Sequence, residues 1–313
     1  MITLIDSNYL LHRIMHSDVA KADLRTSTGI PTSGVFGFLK SLRGTVYQHK
    51  PEAIISIWDG GYSARRKAAF KGYKEGREIA PTDSVAIEYK RSFNIQRDYI
   101  QKILPALGIN IFFIPGKEAD DILYQASRNK KYDWMVMTDD RDMFQCINEQ
   151  VCVFRPLADT RNGEGLITID NFMQRSGIKH PDFWIFYKAI IGDGSDDTPG
   201  CAKGVGPAAA CKIVNSMNEP TMAEFTQVLN TFTDRKSNLI KDNMAIVERN
   251  KEVLDLTKEE FTSENLSDIE QLYDTRPSYS EMNAADLLNQ LEFKSILDNF
   301  AEWSVPFRMA SKH

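Results

Sequence analysis

The chain has 313 residues, 42% of them hydrophobic and 26% charged. This is the composition of an ordinary globular protein with one large core or two modest ones, and it excludes disordered and fibrous classes. Cys146, Cys152, Cys201 and Cys211 lack both zinc-type pairing and the density of a disulfide framework. With no signal-peptide pattern and no apolar run of membrane length, a cytoplasmic protein without membrane association is expected.

In chain order, Ile2-Thr3-Leu4-Ile5 leads directly into Asp6, and the run from Ala53 to Trp58 leads directly into Asp59, as residues at the carboxyl ends of buried parallel strands do. Between them the pattern predicts a helix from Asn8 to about His16 capped by Ser7. A second follows from Gly34 to about Gln48, capped by Ser33, with Val35, Phe38, Leu39, Leu42 and Val46 at helical spacing. From Asp59 to Asp83 no apolar periodicity survives, and the insertion is too long for a routine connection. It carries Arg65, Arg66, Lys67, Lys71, Lys74 and Arg77 against Glu75 alone between Tyr62 and Arg77, so the net charge of −5 hides a basic strip.

A third strand from Ile109 to Ile114 precedes Glu118-Ala119-Asp120-Asp121, at the start of a helix expected to reach about Asn129. A fourth, from Trp134 to Thr138, precedes Asp140-Arg141-Asp142. These four principal strands alternate with helices, which predicts an α/β fold with a mostly parallel sheet covered on both faces; its carboxyl edge is where such folds bind ligands. After Asp182 the sheet signals end. Helices are expected from Phe183 to Ile191 and from Pro207 to Met217 around a turn from Gly192 to Gly206, then from Glu224 to Leu229, Asn238 to Leu254 and Ala284 to Phe300. The polar stretch from Thr257 to Glu281 reads as a loop or a connecting helix.

Nine acids thus stand in costly places: Asp6, Asp59, Glu118, Asp120, Asp121, Asp140, Asp142, Asp193 and Asp196. Two carboxylates about 4 Å apart repel by roughly 4 kcal/mol at an effective dielectric of about 20, so convergence requires either raised pKa values or divalent cations. Oxygen-only ligation points to Mg²⁺ or Mn²⁺ over zinc, and His12, His16, His49, His180 and His313 are not ligand candidates. Any one acid at a helix start reads more simply as a cap, Asp121 included; the repetition after four strands does not. The turn Gly200-Cys201-Ala202-Lys203-Gly204-Val205-Gly206, with Pro207 at the first helical position, reads on its own as an ordinary tight interhelical turn, but its place after Asp193-Gly194-Ser195-Asp196 suits its exposed backbone amides to a phosphate.

These motifs resemble the 5′-nuclease family: the 5′→3′ exonuclease domain of bacterial DNA polymerase I, phage flap endonucleases and phage RNase H. Leu4-Ile5-Asp6, Trp58-Asp59, Glu118-Ala119-Asp120-Asp121, Thr138-Asp139-Asp140-Arg141-Asp142 and Gly192-Asp193-Gly194-Ser195-Asp196, followed by Pro199-Gly200 and Gly204-Val205-Gly206, occur in the family's order across residues 1 to about 215. The resemblance implies a PIN-like, resolvase-like core over residues 1–180 with a helical arch at about 61–91. A helix-three-turn-helix region over 181–255 and a C-terminal helical extension over 256–313 would follow. It implies one metal held by Asp6, Asp59, Glu118 and Asp120 with Asp140 near both sites, and a second held by Asp142, Asp193 and Asp196 with Asp121 assisting.

The arch motif Tyr73-Lys74-Glu75-Gly76-Arg77 implies that Lys74 and Arg77 sit on the scissile phosphate and that Tyr73 stacks on a base. Arg65, Arg66, Lys67 and Lys71 would line the arch, the first three read equally well as a solvated face, and Lys203, Gly204, Gly206 and Lys212 would hold the duplex. The Gly200 to Gly206 turn would also take K⁺. The implied activity is structure-specific 5′→3′ exonuclease and flap cleavage giving 5′-phosphate and 3′-hydroxyl ends. Its substrate would be DNA with a 5′ single strand, with an RNA·DNA hybrid as a further substrate, and the enzyme would act as a monomer in replication or repair. Two departures stand out: Pro207-Ala208-Ala209 replaces the family's usual lysine and threonine after Gly206, and Asp139 stands where glycine is usual. The alternatives are a non-catalytic DNA-binding protein on the same fold, and a Mg²⁺-dependent phosphatase, which leaves the basic insertion without a purpose.

Overall fold

The computed structural model of the chain describes residues 1–17, 22–77, 80, 82–156 and 165–310. Strands β1 (Ile2–Asp6), β2 (Ala53–Ile57), β3 (Asn110–Phe112), β4 (Trp134–Met137), β5 (Val151–Phe154) and β6 (Leu166–Ile167) form one sheet in the order β3-β2-β1-β4-β5-β6. All neighbours run parallel except β6, which pairs antiparallel with β5. The mostly parallel sheet is the expected one. Two strands were not expected, β5 and the two-residue β6; they are followed by Arg155 and Thr168 and lack the acids that marked the other strand ends.

Alternation along the strands sends side chains to opposite faces. Ile2, Leu4, Ile55, Ile57, Trp134 and Val136 enter one core; Ile5, Ile54, Met135 and Met137 enter the other. The second core is covered by α1 (Ser7–Met15) and α2 (Ser33–His49). Their caps differ from expectation. Asp6 caps α1 through Oδ1 on the Tyr9 N–H (3.1 Å), while the Ser7 hydroxyl bonds that of Ser56 (2.6 Å). Thr32 precedes α2 without a side-chain cap bond, and Gln96 Oε1 accepts from Gly34 N–H (2.6 Å) and Val35 N–H (3.2 Å) instead.

The insertion after Asp59 is not structureless. It holds α3 (Ala64–Ala69) and a 3₁₀ turn (Glu75–Arg77), and the outer end of α4 (Ser84–Ala106) falls within the expected 61–91 range, of which residues 78, 79 and 81 lie outside the described residues. Helix α5 (Ala119–Ala126) follows β3, and α6 (Phe172–Ser176) follows β6. Helices α7 (Trp184–Ile191) and α8 (Pro207–Val214) then flank the glycine-rich turn. The expected helix from Asn238 to Leu254 is broken at Asn243 into α10 (Arg235–Asp242) and α11 (Met244–Leu254), after α9 (Met222–Thr231).

Part of the polar stretch from Thr257 is helical, α12 (Ser263–Gln271), started by a capping box in which Thr262 and Asn265 satisfy each other's backbone N–H. The last expected helix is divided into α13 (Glu281–Gln290), α14 (Lys294–Leu297) and α15 (Phe300–Trp303), with α16 (Val305–Ala310) beyond. Residues of α7, α8, α9 and α11 join the first core and those of α13 to α16 the second, so the helical half packs on both sheet faces. Among the described residues no helix is long and apolar enough to cross a membrane.

Candidate active site

Because β1 lies between β2 and β4 in parallel register, with Asp6 opposite Ile57 and Ile5 opposite Met137, the chain segments leaving all three strands emerge side by side. Asp6, Asp59 and Asp140 therefore gather at one sheet edge. Asp6 Oδ2 accepts from Thr138 Oγ1 (2.9 Å); Asp59 accepts from Ala119 N–H (2.8 Å) and Asn8 Nδ2 (2.6 Å). Glu118, at the N-cap of α5, accepts from Ser63 N–H (3.0 Å), Tyr73 Oη (2.8 Å) and Lys74 Nζ (2.5 Å).

The second group of acids comes from two tight turns. Asp140 accepts the Asp142 N–H (2.8 Å), and Asp193 and Thr198 exchange backbone bonds (2.7 and 2.8 Å). Gly192 makes the latter bend possible: its φ is +72°, and a Cβ there would lie 2.4 Å from the Thr198 carbonyl oxygen. Lys188 bridges the two turns, 2.5 Å from Asp142 and bonded to Asp193. Arg77 reaches Asp196 (2.7 Å), and Lys74, held at φ +53°, donates its backbone N–H to the Asp196 carbonyl (3.1 Å). A non-glycine residue in that region costs free energy and persists where its surroundings dictate it.

The electrostatics separate the acids. Burial, then the charge of Asp59, pushes Asp6 up to about 7. Burial and Asp142 push Asp140 up to about 8, and burial with Asp140 and Asp6 raises Asp120. Burial also raises Asp142 in spite of Lys188. Glu118 goes the other way: against its burial, Lys74 and Arg66 hold it down to about 2. Against burial, Lys188 likewise lowers Asp193. The acids nearest Asp6 thus form a mutually repelling, oxygen-only set, the kind that a hard divalent cation suits. Among the described residues no group of three or more acids, histidines or cysteines is placed so as to hold a metal ion; Lys74 and Lys188 each bridge two of these carboxylates, and Arg77 pairs with Asp196.

Three expected roles are corrected by burial. Arg66, 3% exposed, grips both oxygens of the fully buried Asp121 (2.8 and 2.5 Å) and lies 3.1 Å from Glu118. Arg66 is therefore an internal anchor with no face for DNA, and Asp121 has both oxygens committed. Tyr73, 1% exposed, turns its hydroxyl to Glu118 and Asp196 and presents no ring for a base to stack on. Arg65 is also engaged, with Glu252 and Glu259. Lys71, Arg77, Lys203, Gly204 and Lys212 are exposed, Lys67 and Gly206 partly so, and Lys212 lies 3.4 Å from Asp234. Asp139 turns towards Arg155 (3.5 Å), whereas Asp140 shares its field with Asp6 and Asp142.

Lys188 was not anticipated, although a lone charge within the apolar run WIFYKAII of α7 is a legible signal. Asn8, Thr138 and Glu259 carried none. His12 bonds Tyr89 (2.7 Å), His16 stacks on Tyr89, His49 packs on Phe154 and His180 pairs with Asp182; His313 lies outside the described residues.

The family model described as the 5′-3′ exonuclease, N-terminal resolvase-like domain matches residues 1–177. The chain is 32% identical over 217 residues to the thermostable DNA polymerase I of Thermus caldophilus, which covers 68% of this chain and 24% of the polymerase. It is 29% identical to the 5′-3′ exonuclease of Aquifex aeolicus, covering 67% of this chain and 68% of that protein. The chain spans about a quarter of the polymerases it matches. In fold it is similar to a variant of the bacteriophage T5 flap endonuclease, solved as a pseudo-enzyme-product complex with DNA and metal ions. The TM-score is 0.62 at 14% identity, covering 93% of this chain and 99% of that one.

Proposed function

This chain belongs to the 5′-nuclease family, and we propose that it is a divalent-metal-dependent 5′→3′ exonuclease and flap endonuclease acting on DNA with a single-stranded 5′ end. The observation that carries this reading is the repelling carboxylate set at the sheet edge, beside cations that are already committed to it. Asp6, Asp59, Glu118 and Asp120 would hold one Mg²⁺ or Mn²⁺ and Asp142, Asp193 and Asp196 another, with Asp140 between them. Bound there, the ions supply Lewis acidity for hydrolysis to 5′-phosphate and 3′-hydroxyl ends.

The chain's own residues position the phosphodiester. Lys74 and Arg77 lie on Glu118 and Asp196 at 2.5 and 2.7 Å, so a scissile phosphate brought to these acids meets both cations, which neutralise charge developing on it. Lys67 and Lys71 continue the cationic surface along the insertion. Lys203, Lys212 and the backbone of Gly204 and Gly206 offer a duplex grip at the start of α8, where carbonyls of the same turn would take K⁺. RNA·DNA hybrid is a further substrate on this reading, and the enzyme would work as a monomer.

A single assay tests it: 5′-labelled flap, blunt duplex and RNA·DNA hybrid incubated with Mg²⁺ or EDTA. Mg²⁺-dependent release from the flap is expected, and binding of all three substrates without cleavage would leave a non-catalytic DNA-binding protein.

A further inference from the structure

Resting on the assignment of the carboxylates as metal ligands, we infer that Glu259, on a strap of residues 252–259 in the helical half of the chain, is a positioning residue for the metal centre. Its side chain is 4% exposed. One oxygen accepts from Ser63 Oγ (2.7 Å) and Arg65 Nε (3.2 Å), the other from Lys117 Nζ (2.6 Å). Two of these partners adjoin the acids. Ser63 presents its own N–H to Glu118 Oε1 (3.0 Å). Lys117 immediately precedes Glu118, and its carbonyl accepts from Gly60 N–H (2.9 Å), next to Asp59.

The rest of the strap grips the same neighbourhood. Arg65 bonds the Glu252 carbonyl, Arg66 Nε the Val253 carbonyl (3.0 Å), and Gln145 Nε2 the Leu254 carbonyl (3.0 Å), while Gln145 Oε1 accepts from Leu256 N–H (3.3 Å). Gln145 belongs to the 3₁₀ turn Arg141–Cys146 that carries Asp142. The strap thus ties the root of the insertion to both groups of acids, and it lies beyond residue 177, where the family match ends. Ligands to a metal must be held to about 0.5 Å, and loss of a supporting partner typically costs about 10–100-fold in metal affinity or activity.

The test is Mn²⁺ affinity without DNA, read by electron paramagnetic resonance, for the wild type, Glu259→Gln, Ser63→Ala and the double variant, with near-ultraviolet circular dichroism to establish folding. Glu259→Gln keeps the shape and removes the charge. It should weaken Mn²⁺ binding about tenfold in a folded protein, and the double variant should be no weaker than the weaker single one, because both act along one path. Affinity within twofold of wild type in folded Glu259→Gln, or additive losses in the double variant, would overturn the inference. Should Glu259→Gln fail to fold, Ser63→Ala/Lys117→Met, which removes both partners that adjoin the acids, decides in its place: unchanged affinity overturns the inference, and weakened affinity in a folded protein supports it. A wild type that binds no Mn²⁺ sinks the metal reading itself, whereas wild-type binding with unaffected variants sinks only the role of Glu259.

Discussion

Arg66→Met separates an internal anchor from a DNA contact. The guanidinium makes two bonds to Asp121 (2.8 and 2.5 Å), lies 3.1 Å from Glu118 and donates to the Val253 carbonyl (3.0 Å), all with the side chain 3% exposed. Methionine fills much of the same space but leaves Asp121, fully buried, without its cation. Breaking one partner of a buried pair costs about 3–5 kcal/mol, while replacing both with apolar groups is often close to neutral. Urea denaturation should therefore show a loss of about 3–5 kcal/mol for Arg66→Met. Arg66→Met/Asp121→Leu should recover at least about half of it. On DNA, the slope of log affinity against log salt should stay at the wild-type value in Arg66→Met, whereas Lys71→Ala, at an exposed position, should flatten it by about 0.9. A stability loss under about 1 kcal/mol together with a flattened slope for Arg66→Met would refute the internal-anchor assignment.

Two further outcomes follow from the same geometry. Lys74→Ala should lower the single-turnover rate by tenfold or more and DNA affinity by much less, since its ammonium lies within the acid cluster and not on the outer surface; equal losses would make it a binding residue only. Stability without metal should fall as pH rises. Asp6 and Asp140, ordinarily near 3.8, sit at about 7 and about 8 in the folded chain, so the folded state holds protons that the unfolded chain releases. That contribution is complete below about pH 4 and is lost as pH climbs through 7 to 8. Glu118, at about 2, contributes in the opposite sense but is already saturated above pH 5. In EDTA the melting temperature should therefore drop between pH 5.5 and 8.5, and Mg²⁺ should raise it more at pH 8.5. A rise over that window in EDTA would contradict the repelling cluster.

Much of the sheet was legible because β1, β2 and β4 are continuous apolar runs that stop at an acid, a pattern that only the carboxyl edge of a buried strand makes sensible. β5, as long as β4, and β6 were not, because they run into Arg155 and Thr168 and not into an acid. In the site, the clustered acids were visible because carboxylates after apolar runs are energetically odd. The basic strip was visible too, but its division was not. Arg65, Arg66, Lys67, Lys71, Lys74 and Arg77 read alike as charges, whereas the fold turns Arg66 and Lys74 inward and leaves Lys71 and Arg77 exposed. Glu259 was invisible for a similar reason: a glutamate in a polar stretch carries no mark of the Ser63, Arg65 and Lys117 groups that meet it only after folding.

Whether the carboxylates at the sheet edge form a metal-dependent nuclease centre is decided by single-turnover cleavage of a 5′-labelled flap by wild type and Asp140→Ala in Mg²⁺. Asp140 shares its field with Asp6, Asp120 and Asp142, so its removal should slow cleavage by at least about a hundredfold while the flap is still bound. Cleavage by Asp140→Ala at the wild-type rate would mean that these carboxylates do not hold a catalytic metal.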